Sequence, residues 1–221
     1  MENTIAVIDY GLGNPGSILN MLKKIGANAK LTMVPSDLEA ALAVILPGVG
    51  TFDQGMRNLH DRNLVPVLTR CVRNKDKPFL GICLGMQLLT NGSDEGTMPG
   101  LGWIDGYTRK FLFPDGRTDL RLPHMGWNDI HVEDHRCGST CFGDRIFSCS
   151  EPSPRFYFVH NFHVRCSDEA NVLATADYGY RFAAAIGKGK IVGTQFHPEK
   201  SHRFGLEFLR RFVDASRCQT T

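Results

Sequence analysis

Apolar positions in the first half of the chain alternate between two periods. Short β-branched runs at residues 5–8, 29–33, 44–46 and 78–82 are separated by stretches of helical spacing. Such alternation is the pattern of βαβ units wound around a parallel sheet. Ile18, Met21, Leu22 and Ile25 predict a helix over residues 17–25, with Gly26 as its stop. Ser36 is expected to cap a short helix reaching residue 41, and residues 64–72 to form another; Pro47 and Gly48 break the third strand. In the second half the pattern changes to aromatic-rich strands, at residues 155–160, 172–176, 182–186 and 191–195, which suggests antiparallel or mixed pairing. Residues 109–122 and 133–154 are polar, rich in Gly, Pro and Cys, and read as loops or short hairpins. An amphipathic helix over residues 201–213 closes the fold.

No linker or repeat interrupts this order, so residues 1–221 are expected to form one α/β domain with a mixed, mostly parallel central sheet flanked by helices. With 42% hydrophobic residues among 221, the chain can cover both faces of such a sheet. A formal net charge of +2 provides no strong field for nucleic acid or an anionic membrane, and a small neutral or zwitterionic ligand fits better. The longest apolar run, residues 40–46, falls far short of the ~18 residues a membrane span needs. The N-terminus lacks the basic start and longer apolar segment of a secretory signal. The 7 cysteines show no CxxC spacing, which favours reduced thiols and a cytoplasmic protein.

The segment Phe79-Leu80-Gly81-Ile82-Cys83-Leu84-Gly85-Met86-Gln87 places a cysteine where a strand runs into a helix. Its spacing is that of a nucleophile elbow, with cysteine in place of serine. Gly81 and Gly85 flank Cys83 where a sharp crossing leaves little room for a Cβ. Free N–H groups at the start of the helix near Leu84 favour a thiolate and can hold a developing oxyanion. A nucleophile needs a base, and the base an orienting group. Gln195-Phe196-His197-Pro198-Glu199 offers both: in an extended stretch His197 and Glu199 share a face, and Pro198 keeps the preceding residue extended. Cys83, His197 and Glu199 then make a triad with the nucleophile ahead of the base. The turn Leu46-Pro47-Gly48-Val49-Gly50 could face Cys83 with backbone N–H groups, at Gly48, Val49 and Gly50, beside the Leu84 amide. Singly, these features also read as a buried cysteine, a satisfied histidine and an ordinary turn; together they point to catalysis.

These residues resemble the class I (triad-type) glutamine amidotransferases, whose glutaminase domains carry G-x-C-x-G-x-Q, a P-G-x-G loop and a late H-P-E, all present here in that order. The resemblance runs from residue 5 to about residue 213. Ile8-Asp9-Tyr10-Gly11-Leu12-Gly13-Asn14, Leu122-Pro123-His124-Met125-Gly126-Trp127-Asn128 and Tyr157-Phe158-Val159-His160 are similar in particular to glutaminase subunits of imidazole glycerol phosphate synthases. The resemblance implies a flavodoxin-like fold and no cofactor or metal. It implies that Cys83 attacks the side-chain amide of L-glutamine while His197 shuttles the proton and Glu199 orients it, giving a γ-glutamyl thioester, ammonia and then glutamate. Gly48, Val49, Gly50, Leu84, Gln87, His160 and Asn161 would hold glutamine or its oxyanion. Because the glutaminase elements fill the chain, the ammonia acceptor is expected on another polypeptide, by resemblance a (β/α)8-barrel cyclase of histidine biosynthesis in a heterodimer. Tyr10, Gly11 and Asn14, with Pro123, His124, Met125, Gly126, Trp127 and Asn128, would lie where ammonia crosses. An amidotransferase of surface-polysaccharide sugars is the alternative acceptor. Pro15 and the pair Asn161-Phe162 depart from the residues more usual in the family and leave the triad untouched.

Three other readings compete. Gly11-Leu12-Gly13-Asn14-Pro15-Gly16 matches the dinucleotide-binding pattern, but that reading needs an acid at the end of the second strand, where Met33, Val34 and Pro35 stand. A metal module built on Cys137, Cys141 and Cys149 with His131 or His135 lacks closely paired ligands. A cysteine peptidase would share the elbow and leave the remaining segments unexplained. His202 is expected only to decorate the start of the last helix.

Overall fold

A computed structural model describes residues 3–74, 76–113, 120–133, 142–147 and 154–218. The elements in chain order are β1 (Thr4–Ile8), α1 (Pro15–Lys24), β2 (Asn28–Thr32), α2 (Pro35–Ala40), β3 (Ala43–Leu46), α3 (Phe52–Asp61), α4 (Leu64–Thr69), β4 (Phe79–Ile82) and α5 (Leu84–Gln87). They continue with β5 (Gly106–Lys110), β6 (His124–Asp129), β7 (His131–Val132), α6 (Phe142–Ile146), β8 (Arg155–His160), β9 (Phe162–Cys166), β10 (Val172–Tyr178), β11 (Tyr180–Lys188), β12 (Ile191–Thr194) and α7 (His202–Arg217).

Strands β2, β1, β3, β4 and β12 pair in parallel in that spatial order; β11, β10 and β7 extend the sheet antiparallel from β12, and β9 and β5 branch from β11. The strand pair β6–β8 forms a separate antiparallel ribbon. The parallel strands read as continuous apolar runs because helices cover both faces. Ile5 and Val7 of β1, with Ala43 and Ile45 of β3, join the core under α1 and α7. Ala6 and Ile8, with Val44 and Leu46, join the opposite core under α3 and α4. This two-sided burial carries the ends of β3, β4 and β12 to one rim of the sheet, where the chemistry-bearing motifs lie. Among the described residues no helix is long and apolar enough to cross a membrane.

Several local expectations are corrected. The second strand lies one residue earlier than expected, at Asn28–Thr32, an edge strand in which only Thr32 is buried, so burial gave little register signal. Helix α2 starts at Pro35 and has no side-chain cap; Thr32 Oγ1 instead accepts the Val34 amide at 3.0 Å, and Ser36 is not its N-cap. The helix expected through residue 72 ends its α-turns at Thr69 and widens into a π-turn over Arg70–Asn74. Helix α3 was not anticipated, although Phe52, Met56 and Leu59 form its buried stripe. Strands β5, β6, β7 and β9 were not anticipated either, and β5 and α6 lie partly or wholly in segments read as loops or hairpins. The last helix starts after Ser201 and runs to Arg217, four residues past the expected end. Cys137, Cys141, Cys149 and His135 lie outside the described residues.

Candidate active site

Cys83 occupies the one-residue junction between β4 and α5 with φ 54° and ψ −108°, a conformation that L side chains adopt only where the surroundings enforce it. The enforcing contacts are backbone. Cys83 N–H donates to the Thr194 carbonyl at 2.7 Å, tying the turn to β12. A Cβ on Gly81 would stand 2.5 Å from the Gly85 carbonyl oxygen, and one on Gly85 would collide with the Leu46 carbonyl oxygen. The helix therefore starts pressed against β3 and β4, which only glycine at both positions allows. The thiol is 6% exposed and stands at the N-terminus of α5.

His197 follows β12 in extended conformation, and Glu199 lies in the 3₁₀ turn Pro198–Lys200. The pair therefore meets across a turn rather than along the extended stretch expected. His197 Nδ1 and Glu199 Oε1 are 2.7 Å apart, with side chains 1% and 3% exposed. Ser201 locks this turn: its hydroxyl donates to the His197 carbonyl at 2.6 Å and accepts the Tyr157 amide at 3.0 Å. His197 Nε2 is buried without a hydrogen bond of ordinary length and is electrically coupled to Cys83. Burial is the largest influence and disfavours the imidazolium, but the combined pull of Cys83 and Glu199 outweighs it and raises the pKa to about 10.

The cleft beside Cys83 has a volume of about 240 Å³ and is lined by Val49, Gly50, Leu84, Gln87, Glu95, Val159, His160, Asn161 and Phe162. That is room for an amino-acid substrate. The Gly48 carbonyl accepts the Leu84 amide at 3.3 Å, so the donor at the helix start is already occupied. Gln87 Nε2 donates to Gln195 Oε1 at 3.1 Å and to the Phe162 carbonyl at 3.4 Å, and Gln195 Nε2 reaches Cys83 Sγ at 3.7 Å.

The model of the glutamine amidotransferase class-I family matches residues 6–215. The chain belongs to the class I glutamine amidotransferases. A relative from Methanococcus maripaludis and one from Pseudomonas aeruginosa, each named imidazole glycerol phosphate synthase subunit HisH 2, are 45% identical to it over 95% of this chain and 98% of theirs. The HisH subunit of Leptospira interrogans is 38% identical over the same shares. Among solved structures, a glutamine amidotransferase crystal structure superimposes with a TM-score of 0.72 at 20% identity, covering 96% of this chain and 98% of that one. PurLQS from Thermotoga maritima gives 0.72 at 18% identity with full coverage of both. At such identities the structures establish the shared amidotransferase fold.

In this amidotransferase the residues expected at a partner face divide into three groups, one of which, Pro123, Gly126 and Asn128, is half-buried. Gly11, Asn14, Met125 and Trp127 are exposed, whereas Tyr10 and His124 are buried at 0% and 4% exposure and belong to the interior. Met125 and Trp127 project from β6, and His202 stacks on Trp127 at 5.5 Å with rings 6° apart, a contact beyond the role expected for it. His124 points inward, between Phe158 and Tyr178, and its Nδ1 lies 2.9 Å from His160 Nε2. His160 Nδ1 lies 2.7 Å from the Phe162 carbonyl, which can only accept. His160 therefore donates from Nδ1 and accepts at Nε2, which makes His124 Nδ1 the donor and leaves His124 Nε2 to accept from Asn128 at 3.4 Å. Both rings are held neutral: burial lowers His124 to about 4 and, with its histidine neighbours, His160 to about 3.

Two residues around the cleft have no place in the sequence motifs' chemistry. Glu95 faces the cleft from the loop after α5, and its Oε2 accepts the Phe52 amide at 2.8 Å, capping α3. Asp53 fixes that loop by accepting the Thr97 and Met98 amides, each at 3.0 Å. An acidic residue beside Gly96 is the only signal the sequence carried for it. Gln195, two residues before His197 in the same segment, is fully buried.

Proposed function

We propose that this chain hydrolyses L-glutamine with Cys83 as nucleophile, His197 as proton carrier and Glu199 as orienting carboxylate, and that it delivers ammonia to a synthase subunit making imidazole glycerol phosphate. The observation that carries the reading is the convergence of three groups from two distant segments: a strained thiol at a helix N-terminus, an imidazole coupled to it, and a carboxylate 2.7 Å behind that imidazole. Cys83 Sγ adds to the amide carbon of glutamine, and the carbonyl oxygen becomes an oxyanion. His197 Nε2–H protonates the departing amino group, so ammonia leaves and a γ-glutamyl thioester remains. Water then loses a proton to His197 as it attacks the thioester, and glutamate departs with the thiolate restored.

Glu95 supplies the cleft's carboxylate and is placed to bind the substrate's α-ammonium group. Gln87 and Gln195 hold the thiol's surroundings rather than competing for the reacting carbon. The partner is a (β/α)8-barrel cyclase docking on the exposed edge that carries Met125 and Trp127, 61% and 42% exposed. Two relatives at 45% identity bearing the synthase subunit name support this acceptor over a sugar amidotransferase. Cys83→Ala is expected to abolish synthesis from glutamine while sparing synthesis from ammonium salts in the reconstituted pair. Loss of both would give Cys83 a structural role, and failure to copurify with a barrel cyclase would remove the acceptor.

A further inference from the structure

Tyr10 sits two residues past the end of β1, its side chain fully buried, and its Oη has no hydrogen-bond partner among the described residues. Buried phenols ordinarily have one, and a phenylalanine would keep the packing without the unpaired hydroxyl. The hydroxyl lies against the turn that faces the nucleophile: a Cβ on Gly48 would stand 2.8 Å from Tyr10 Oη and 2.7 Å from Leu84 Cβ. Burial, reinforced by the charge of Cys83, pushes the phenol far above its ordinary range, so it stays protonated and can donate. On the same spot the Gly48 carbonyl occupies the Leu84 amide at 3.3 Å. That amide can serve a substrate oxyanion only if the carbonyl leaves, and a buried carbonyl that leaves one donor needs another. An unused donor therefore stands beside an acceptor that must be released.

We propose that the Tyr10 hydroxyl donates to the Gly48 carbonyl when residues 47–50 turn to free the Leu84 amide, making Tyr10 a positioning residue for the oxyanion site. The inference rests on the glutaminase reading above. It accounts for a tyrosine at this buried position, because the hydroxyl is unsatisfied in the resting arrangement and satisfied in the reactive one, which shifts the population toward the latter.

Tyr10→Phe removes only the hydroxyl. In the complex with the synthase partner, kcat for glutamine is expected to fall about tenfold, the value of one ordinary hydrogen bond, with KM within about twofold. Affinity for glutamate γ-semialdehyde should fall by a similar factor, because addition of Cys83 Sγ to its aldehyde carbon leaves an oxyanion in the same place. Ammonia-dependent synthesis should be unchanged, and the melting temperature of the subunit unchanged or raised. An unaltered kcat would overturn the proposal, as would equal losses of glutamine and semialdehyde affinity accompanied by a lower melting temperature. Glutamine turnover that survives Cys83→Ala would sink the glutaminase reading instead, whatever Tyr10→Phe does.

Discussion

Glu199 determines what His197 can do. Without its carboxylate at Nδ1, the imidazole is free to adopt the wrong tautomer and loses one of the two charges that favour its protonated form. Glu199→Gln is expected to lower kcat by up to about 10⁴, the loss seen when the orienting acid of a triad is made neutral, with KM little changed; glutamate release measures both. The linkage has a definite sign. Because the pKa of His197 is raised on folding, its stabilising contribution is complete below the unfolded value of 6.5 and is lost as pH climbs through about 10. Urea midpoints measured between those limits should decline less steeply with pH in His197→Gln than in the unaltered chain; parallel curves would show that the coupling is absent. On the proposed reading Glu95 acts at the substrate's other end. Replacing it with glutamine removes a charge-assisted bond worth about 1.5–3 kcal/mol, so KM should rise about 10–100-fold while kcat holds.

At the level of elements, the elbow is a packing solution before it is a catalytic one. Gly81→Ala or Gly85→Ala would drive a methyl group into backbone of α5 or β3, atoms that cannot rotate away. Each is expected to cost about 3 kcal/mol or more, at the upper end of what overpacked cores suffer, seen as a lowered urea midpoint. The ribbon β6–β8 carries a different liability. His124 and His160 must both be neutral to donate in series, and their pKa values are depressed, so their stabilising contribution is complete above pH 6.5 and is lost as pH falls toward about 4 and 3. Melting temperatures should drop through that acid window and drop less in His124→Gln. The same contrast explains what could be read from the chain. The parallel strands and the triad motifs are local patterns, apolar runs or fixed spacings, and they were legible. Strand β6 sets a buried histidine beside exposed Met125 and Trp127, and β9 buries His163 next to Val164, so neither alternates apolar against polar. The Glu95 carboxylate is tied to the Phe52 amide and its loop is fixed by Asp53, both more than forty residues away in the chain, and no local pattern encodes such contacts.

For the whole molecule, the resting arrangement separates two requirements of the reaction. The thiol and its base are already assembled, whereas the Leu84 amide is held by the Gly48 carbonyl. On the proposed reading, a chain in this state has its nucleophile beside its base and an incomplete oxyanion site. Loss of one oxyanion donor costs about 10²–10³ in rate, so the subunit alone should turn over glutamine slowly by about that factor and recover it when the acceptor subunit docks near the turn. Alkylation of Cys83 by iodoacetamide reports only on the thiolate, since the displacement develops no carbonyl oxyanion. It should proceed at nearly the same rate with and without the partner, while glutamate release rises steeply. If both rates rise together, the partner acts by creating the thiolate, and the carbonyl on Leu84 is not the brake. If the isolated subunit already releases glutamate at the rate of the complex, residues 47–50 turn freely and docking regulates only where the ammonia goes.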